Sequence, residues 1–106
     1  MAMAMAMAMT HKELVKACLD YLNLLPSSCF RKVLGGLGAR GFLDIEGCYK
    51  GRFYAFEIKT GMGRLSACQR ERIERIRKAG GVAVEVRALE DLHEVFKGEN
   101  PQLELF

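Results

Sequence analysis

Twelve residues separate Asp44 from the run Glu57-Ile58-Lys59, and they favour an antiparallel hairpin. Arg52-Phe-Tyr-Ala-Phe56 is aromatic-rich and suits a pleated strand, while Lys50-Gly51 ahead of it supplies a tight turn. Closing that hairpin brings Asp44 beside Glu57. Side chains alternate along a strand, so Glu57 and Lys59 share a face and Ile58 points into the core. Two carboxylates and an ammonium on one face make a site for a hard divalent cation and a phosphodiester. Carboxylate oxygens suit Mg²⁺ or Mn²⁺, and a lysine beside developing negative charge can position or activate water.

At 106 residues the chain has room for one sheet with helices against it, and none for a separate recognition domain. Residues 1–9 alternate Met and Ala and hold five of the six methionines. No positive charge precedes this apolar stretch, as a signal peptide would require, and it is too short to span a bilayer. It is expected to be an artificial extension, followed by a domain over residues 10–98 and a tail over 99–106. With nothing pointing to export or to a membrane, a cytoplasmic location is expected.

Local patterns order the elements. Thr10-His-Lys-Glu13 has the form of a capping box, and Leu14, Cys18, Tyr21 or Leu22, and Leu25 recur at helical spacing before Pro26. Strands are predicted over 29–34, 42–49 and 52–59. Ser66-Ala-Cys-Gln69 opens a second helix with another capping box, Ile73 and Ile76 mark its buried stripe, and Gly80-Gly81 stop it. Residues 82–86 form a fourth strand, and Leu89, Leu92 and Phe96 a short third helix. The order α-β-β-β-α-β-α defines an α/β domain with a mixed central sheet.

Residues 1–78 carry fourteen Lys and Arg against seven Asp and Glu; residues 79–106 carry two against six. A basic surface on the part holding the carboxylates fits a polyanionic partner. A solvated helix laced with pairs such as Arg70 with Glu74 and Glu71 with Arg75 would account for the same charges. Cys18, Cys29, Cys48 and Cys68 are widely and irregularly spaced, which argues against zinc or a disulfide framework and for small buried thiols. Gly36-Leu-Gly-Ala-Arg-Gly41 matches a dinucleotide-binding pattern, but a strand follows where that motif needs a helix.

Asp44, Glu57-x-Lys59 and the αβββαβ order resemble the PD-(D/E)XK nuclease superfamily, whose core is restriction-endonuclease-like. Glu13 in the first helix, the Gly-rich lead-in ending Arg40-Gly-Phe-Leu-Asp44, Phe56-Glu-Ile-Lys59 and Gly63-Arg-Leu-Ser-Ala-Cys-Gln69 are similar to its VRR-Nuc family of virus-type replication and repair nucleases. The resemblance covers roughly residues 10–97. It implies a Mg²⁺- or Mn²⁺-dependent phosphodiesterase in which Glu13, Asp44, Glu57 and the Ile58 carbonyl hold the metal. Lys59 would orient water or stabilise the pentacovalent state, and Gln69 would support the site. Leu43 stands where that family usually has proline.

Plainer readings exist for each residue. Glu13 and Gln69 both occupy the third helical position of a capping box and can serve a backbone N–H alone. Asp44 can pair with Arg40 or cap a turn. Glu57 and Lys59 can form an exposed ion pair, worth only about 0–1 kcal/mol. His11 and His93 read as surface residues without a role.

Arg31, Lys32, Arg40 and Arg64 are the candidate phosphate contacts, which position a duplex without reading its bases. The resemblance extends to enzymes that cut flapped or branched DNA, including four-way (Holliday) junctions. Symmetric cutting of two strands requires two active sites, hence a two-fold homodimer. Gln102-Leu-Glu-Leu-Phe106 resembles the peptide by which bacterial polymerases and repair proteins dock on the sliding clamp. Gln102, Leu103, Leu105 and Phe106 would be its contacts. The competing function is a non-catalytic DNA- or clamp-binding module of the same fold.

Overall fold

The computed structural model describes residues 8–35 and 40–98. Helix α1 (His11–Leu24) leads into β1 (Ser28–Lys32), then β2 (Ile45–Tyr49) and β3 (Arg52–Ile58). Helix α2 (Ala67–Lys78), β4 (Val82–Val86) and α3 (Leu89–Phe96) complete the order. The sheet runs β1-β2-β3-β4, antiparallel except for the β3–β4 pair, which is parallel across the α2 connection. The described residues form a mixed α/β architecture of four strands and three helices. No helix among the described residues is long and apolar enough to cross a membrane. The Ala-Met repeat over 1–7 and the tail at 102–106 lie outside the described residues.

Both helix starts follow the local sequence. Thr10 and Ser66 each accept the N–H of the residue three positions on, and Glu13 and Gln69 each bond back to the cap residue's N–H. The β2–β3 turn takes positive φ at Lys50 (52°) and Gly51 (81°), the left-handed pair that matches strand twist in a two-residue hairpin.

Alternation along β3 builds two cores. Tyr54, Phe56 and Ile58 face α1 and α3, joining Leu14, Cys18, Leu22, Val86, Leu92 and Phe96. The Phe96 ring lies 5.0 Å from both Tyr49 and Tyr54. Ala55 and Ala83 face the other way, where their small side chains admit α2 through Ile73, with Leu43 closing the layer. Phe30 crosses the sheet at Gly47, its register partner. A Cβ on Gly47 would stand 2.1 Å from the Cys29 carbonyl oxygen and 2.7 Å from the Phe30 ring.

Three expectations need correction. The second strand begins at Ile45 and not Phe42, because side chains replace ladder partners at Asp44, as described below. The first strand ends at Lys32. The thiols are not uniformly buried: Cys18 is, but Cys29 and Cys48 are exposed register partners and Cys68 is half-buried. Among the described residues, helix α2 packs over β3 and β4 and not over β1 and β2.

The close approach at Gly47 gives a stability test. Gly47→Ala is expected to destabilise the chain by about 1–3 kcal/mol or more in urea unfolding, since backbone rather than a pliable side chain blocks the methyl. A change within 0.5 kcal/mol, the usual range for an unobstructed surface position, would contradict this packing.

Candidate active site

Where β2 and β3 meet at their open end, the two carboxylates tie the strands together. Glu57 Oε1 accepts the Asp44 N–H (3.2 Å), and Asp44 Oδ2 accepts the Ile58 N–H (2.9 Å). The regular ladder therefore stops at Ile45–Phe56, and the acids are held by backbone N–H groups across the pair, Glu57 by that of Asp44 and Asp44 by that of Ile58. Leu43, in the place of the resembled family's proline, is 3% exposed and packs in the α2-side core.

Glu57 is 3% exposed, the one buried charged residue in the described core. Its second oxygen receives Gln69 Nε2 at 3.0 Å and stands 3.2 Å from Lys59 Nζ. The Glu57–Lys59 pair is thus enclosed, unlike a solvated surface pair. Gln69 makes two contacts at once. Its Oε1 accepts the Ser66 N–H, and that bond aims its NH₂ at Glu57. Burial raises the Glu57 carboxyl above 4.5, as does the neighbouring charge of Asp44; Lys59 and the Asp44 N–H pull it back down.

The helix contributes a different residue from the one expected. Glu13 is exposed and its carboxylate turns back to Thr10 N (2.9 Å), a bond that lowers its pKa. His11, two residues earlier, points at the cluster: Nε2 lies 3.2 Å from Asp44 Oδ2 and 3.0 Å from the Ile58 carbonyl oxygen. Two residues along a helix turn the side chain by about 200°, so only one of the pair can face the sheet. The sequence signal for His11 was its place at the first helical position beside the cap.

Among the described residues no three His, Cys, Asp or Glu side chains gather as a metal-ligand group. A cation here would take Asp44 and Glu57 together with a backbone donor, and the Ile58 carbonyl lies at the cluster. These are hard oxygens, the donor type Mg²⁺ and Mn²⁺ require.

The basic residues divide. Arg31 shares the sheet face of Asp44 and Glu57 but is paired with Glu46 at 3.0 Å. Lys32 is the next residue on the strand and faces the opposite side, away from the cluster. Arg64 is exposed in the loop before α2. Arg40 is exposed and lines a cleft of about 260 Å³ with Gly41, Cys68, Glu71, Arg72 and Arg75. The Arg72 guanidinium stacks 3.9 Å from the Phe42 ring centre. The helix pairs Arg70–Glu74 and Glu71–Arg75 do not form; Arg70 instead donates to the Leu65 carbonyl. Arg72 and Arg75 were not among the predicted contacts.

No protein-family model matches the chain, and no curated protein matches its sequence.

The raised Glu57 carboxyl fixes a sign. The folded chain binds that proton more tightly than the unfolded chain. The stability it contributes is complete below about 4.5 and is lost as pH rises through the folded value. Urea titrations without metal, from below 4.5 to neutrality, should therefore show wild type losing more stability than Glu57→Gln over that window. Parallel pH curves for the two proteins would refute the burial argument.

Proposed function

We propose that this chain is a metal-dependent endodeoxyribonuclease with a PD-(D/E)XK core, acting on branched DNA, with the four-way junction as its substrate. The observation that carries the reading is Glu57: a carboxylate sealed at 3% exposure, facing Asp44, with Lys59 and Gln69 on one of its oxygens. An unpaired buried carboxylate is costly, and hydrophobic replacements of buried ion pairs are often neutral or stabilising. Stability alone gives little reason for this arrangement.

Asp44, Glu57 and the Ile58 carbonyl would hold the cation. When bound, that cation supplies Lewis-acid polarisation of the phosphate and lowers the pKa of the attacking water. The protein's own groups do the rest. Gln69 and the Asp44 N–H keep the Glu57 carboxylate from rotating. Lys59, with 18% of its side chain exposed, can turn its ammonium from Glu57 toward the attacking water or the pentacovalent phosphate. Arg40, Arg72 and Arg75, with only Glu71 opposing them in their cleft, suit the flanking phosphates. Cleavage of paired strands implies a homodimer, and the 102–106 peptide is proposed to dock on a sliding clamp.

The test uses labelled linear duplex, flap and four-way junction with Mg²⁺, Mn²⁺ or EDTA. Junction cutting is expected with either metal and not with EDTA, leaving 5′-phosphate ends. Glu57→Ala and Lys59→Ala should each slow it on the order of a hundredfold or more. Protein lacking residues 102–106 should still cut but lose binding to purified clamp. Tight junction binding without cutting under any metal would instead establish a binding module.

A further inference from the structure

We infer that Cys29 and Cys48 are a reversible dithiol–disulfide pair, which a small disulfide such as glutathione disulfide closes into a cross-strand bond. The inference stands apart from the nuclease reading and uses none of its residues.

The strand register places the two sulfurs. Cys29 on β1 and Cys48 on β2 are direct partners across the antiparallel pair, so their side chains leave the same face of the sheet. The ladder also sets their spacing. Lys50 N–H donates to the Ser27 carbonyl and Val33 N–H to that of Asp44, and both pairs continue the same register. Hydrogen-bonded pairs alternate along an antiparallel ladder, so Cys29–Cys48 is one of them, with Cα atoms about 5.5 Å apart. A disulfide joins Cα atoms about 4.4–6.8 Å apart, most often about 5.5–6 Å. The neighbouring pair on the same face already meets across the strands: Arg31 reaches Glu46 at 3.0 Å.

Access separates this pair from the other thiols. Phe30 and Tyr49, the chain neighbours of the two cysteines, point into the α1-side core, so the cysteines take the opposite face. Helix α2 packs on that face through Ile73 against Ala55 and Ala83, away from them, and both are exposed. Cys18 is buried, which pushes its thiol up to about 11. Cys68 is half-buried in the arginine-lined cleft on α2.

The exchange balances without a further reagent. The thiolate of one cysteine attacks a sulfur of glutathione disulfide, breaks its S–S bond and releases one glutathione thiolate. The facing thiol loses its proton, attacks the protein-bound sulfur and releases the second. Two protein thiols and one glutathione disulfide become one protein disulfide and two glutathione thiols. The protein sulfurs are oxidised, the glutathione sulfurs reduced, and both protons end on glutathione. Exposed disulfides are the labile ones, so added thiol runs the exchange backward. Reducing surroundings keep the pair open, and a rise in disulfide closes it.

Mass spectrometry of the native full chain, equilibrated in glutathione buffers, quenched with acid and alkylated, tests this. With glutathione disulfide in excess, wild type is expected to lose the mass of two hydrogens and to retain no glutathione. A digest should yield the Cys29 and Cys48 peptides joined, and dithiothreitol should separate them. Cys29→Ser and Cys48→Ser should instead each retain one glutathione on the remaining partner, while Cys68→Ser should close as wild type does. Wild type that carries glutathione on both cysteines, or keeps both as free thiols, overturns the pairing. So does a bridge found only between two chains, or a two-hydrogen loss that persists in Cys29→Ser. Should a serine variant fail to fold, the joined peptide in wild type decides alone.

Discussion

The exchange between Asp44 and Glu57 holds the open end of the sheet together. Each carboxylate accepts a backbone N–H from the other's strand, so the hairpin ends on side-chain bonds instead of ladder bonds. Everything nearby is arranged around that substitution. The strands cannot splay without releasing a buried carboxylate. Helix α2 must start where Ser66 caps it, because only then does Gln69 reach Glu57. The lysine two residues on is forced to the same face by strand geometry alone.

A buried carboxylate is stable only when its lone pairs are filled. Glu57 has three donors, yet burial and the charge of Asp44 still favour its protonated form. Two carboxylates there face the single ammonium of Lys59, so the cluster is short of positive charge in the protein alone. A divalent cation near Asp44 and Glu57 would reverse that balance, because the largest local charge governs the protonation of the groups around it. This deficit links the fold to the function proposed for it.

Much of this was legible in the chain because it depends on local rules. The hairpin follows from Lys50-Gly51 and the aromatic run, both capping boxes from four-residue patterns, and the shared face of Glu57 and Lys59 from alternation. What was not legible depends on docking. His11 and Glu13 lie on opposite sides of one helical turn, and only the packing of α1 on the sheet decides which meets Asp44. Arg31 and Lys32 are adjacent in the sequence, but consecutive strand residues cannot face one site. The exposure of Cys29 and Cys48 follows from how far α2 extends across the sheet, which no local pattern encodes. Helical spacing pairs Arg75 with Glu71, and whether such a pair closes depends on what else the arginine can reach; nothing local marks Arg72, which meets Phe42 only in the fold.

The most direct measurement is thermal unfolding with increasing Mn²⁺. If the cluster is short of one cation, wild type should gain stability along a saturating curve, by about 2.7 kcal/mol at a hundred times its dissociation constant. Asp44→Asn and Glu57→Gln should not respond. A wild-type melting temperature indifferent to Mn²⁺, or one that rises equally in both variants, would contradict the account.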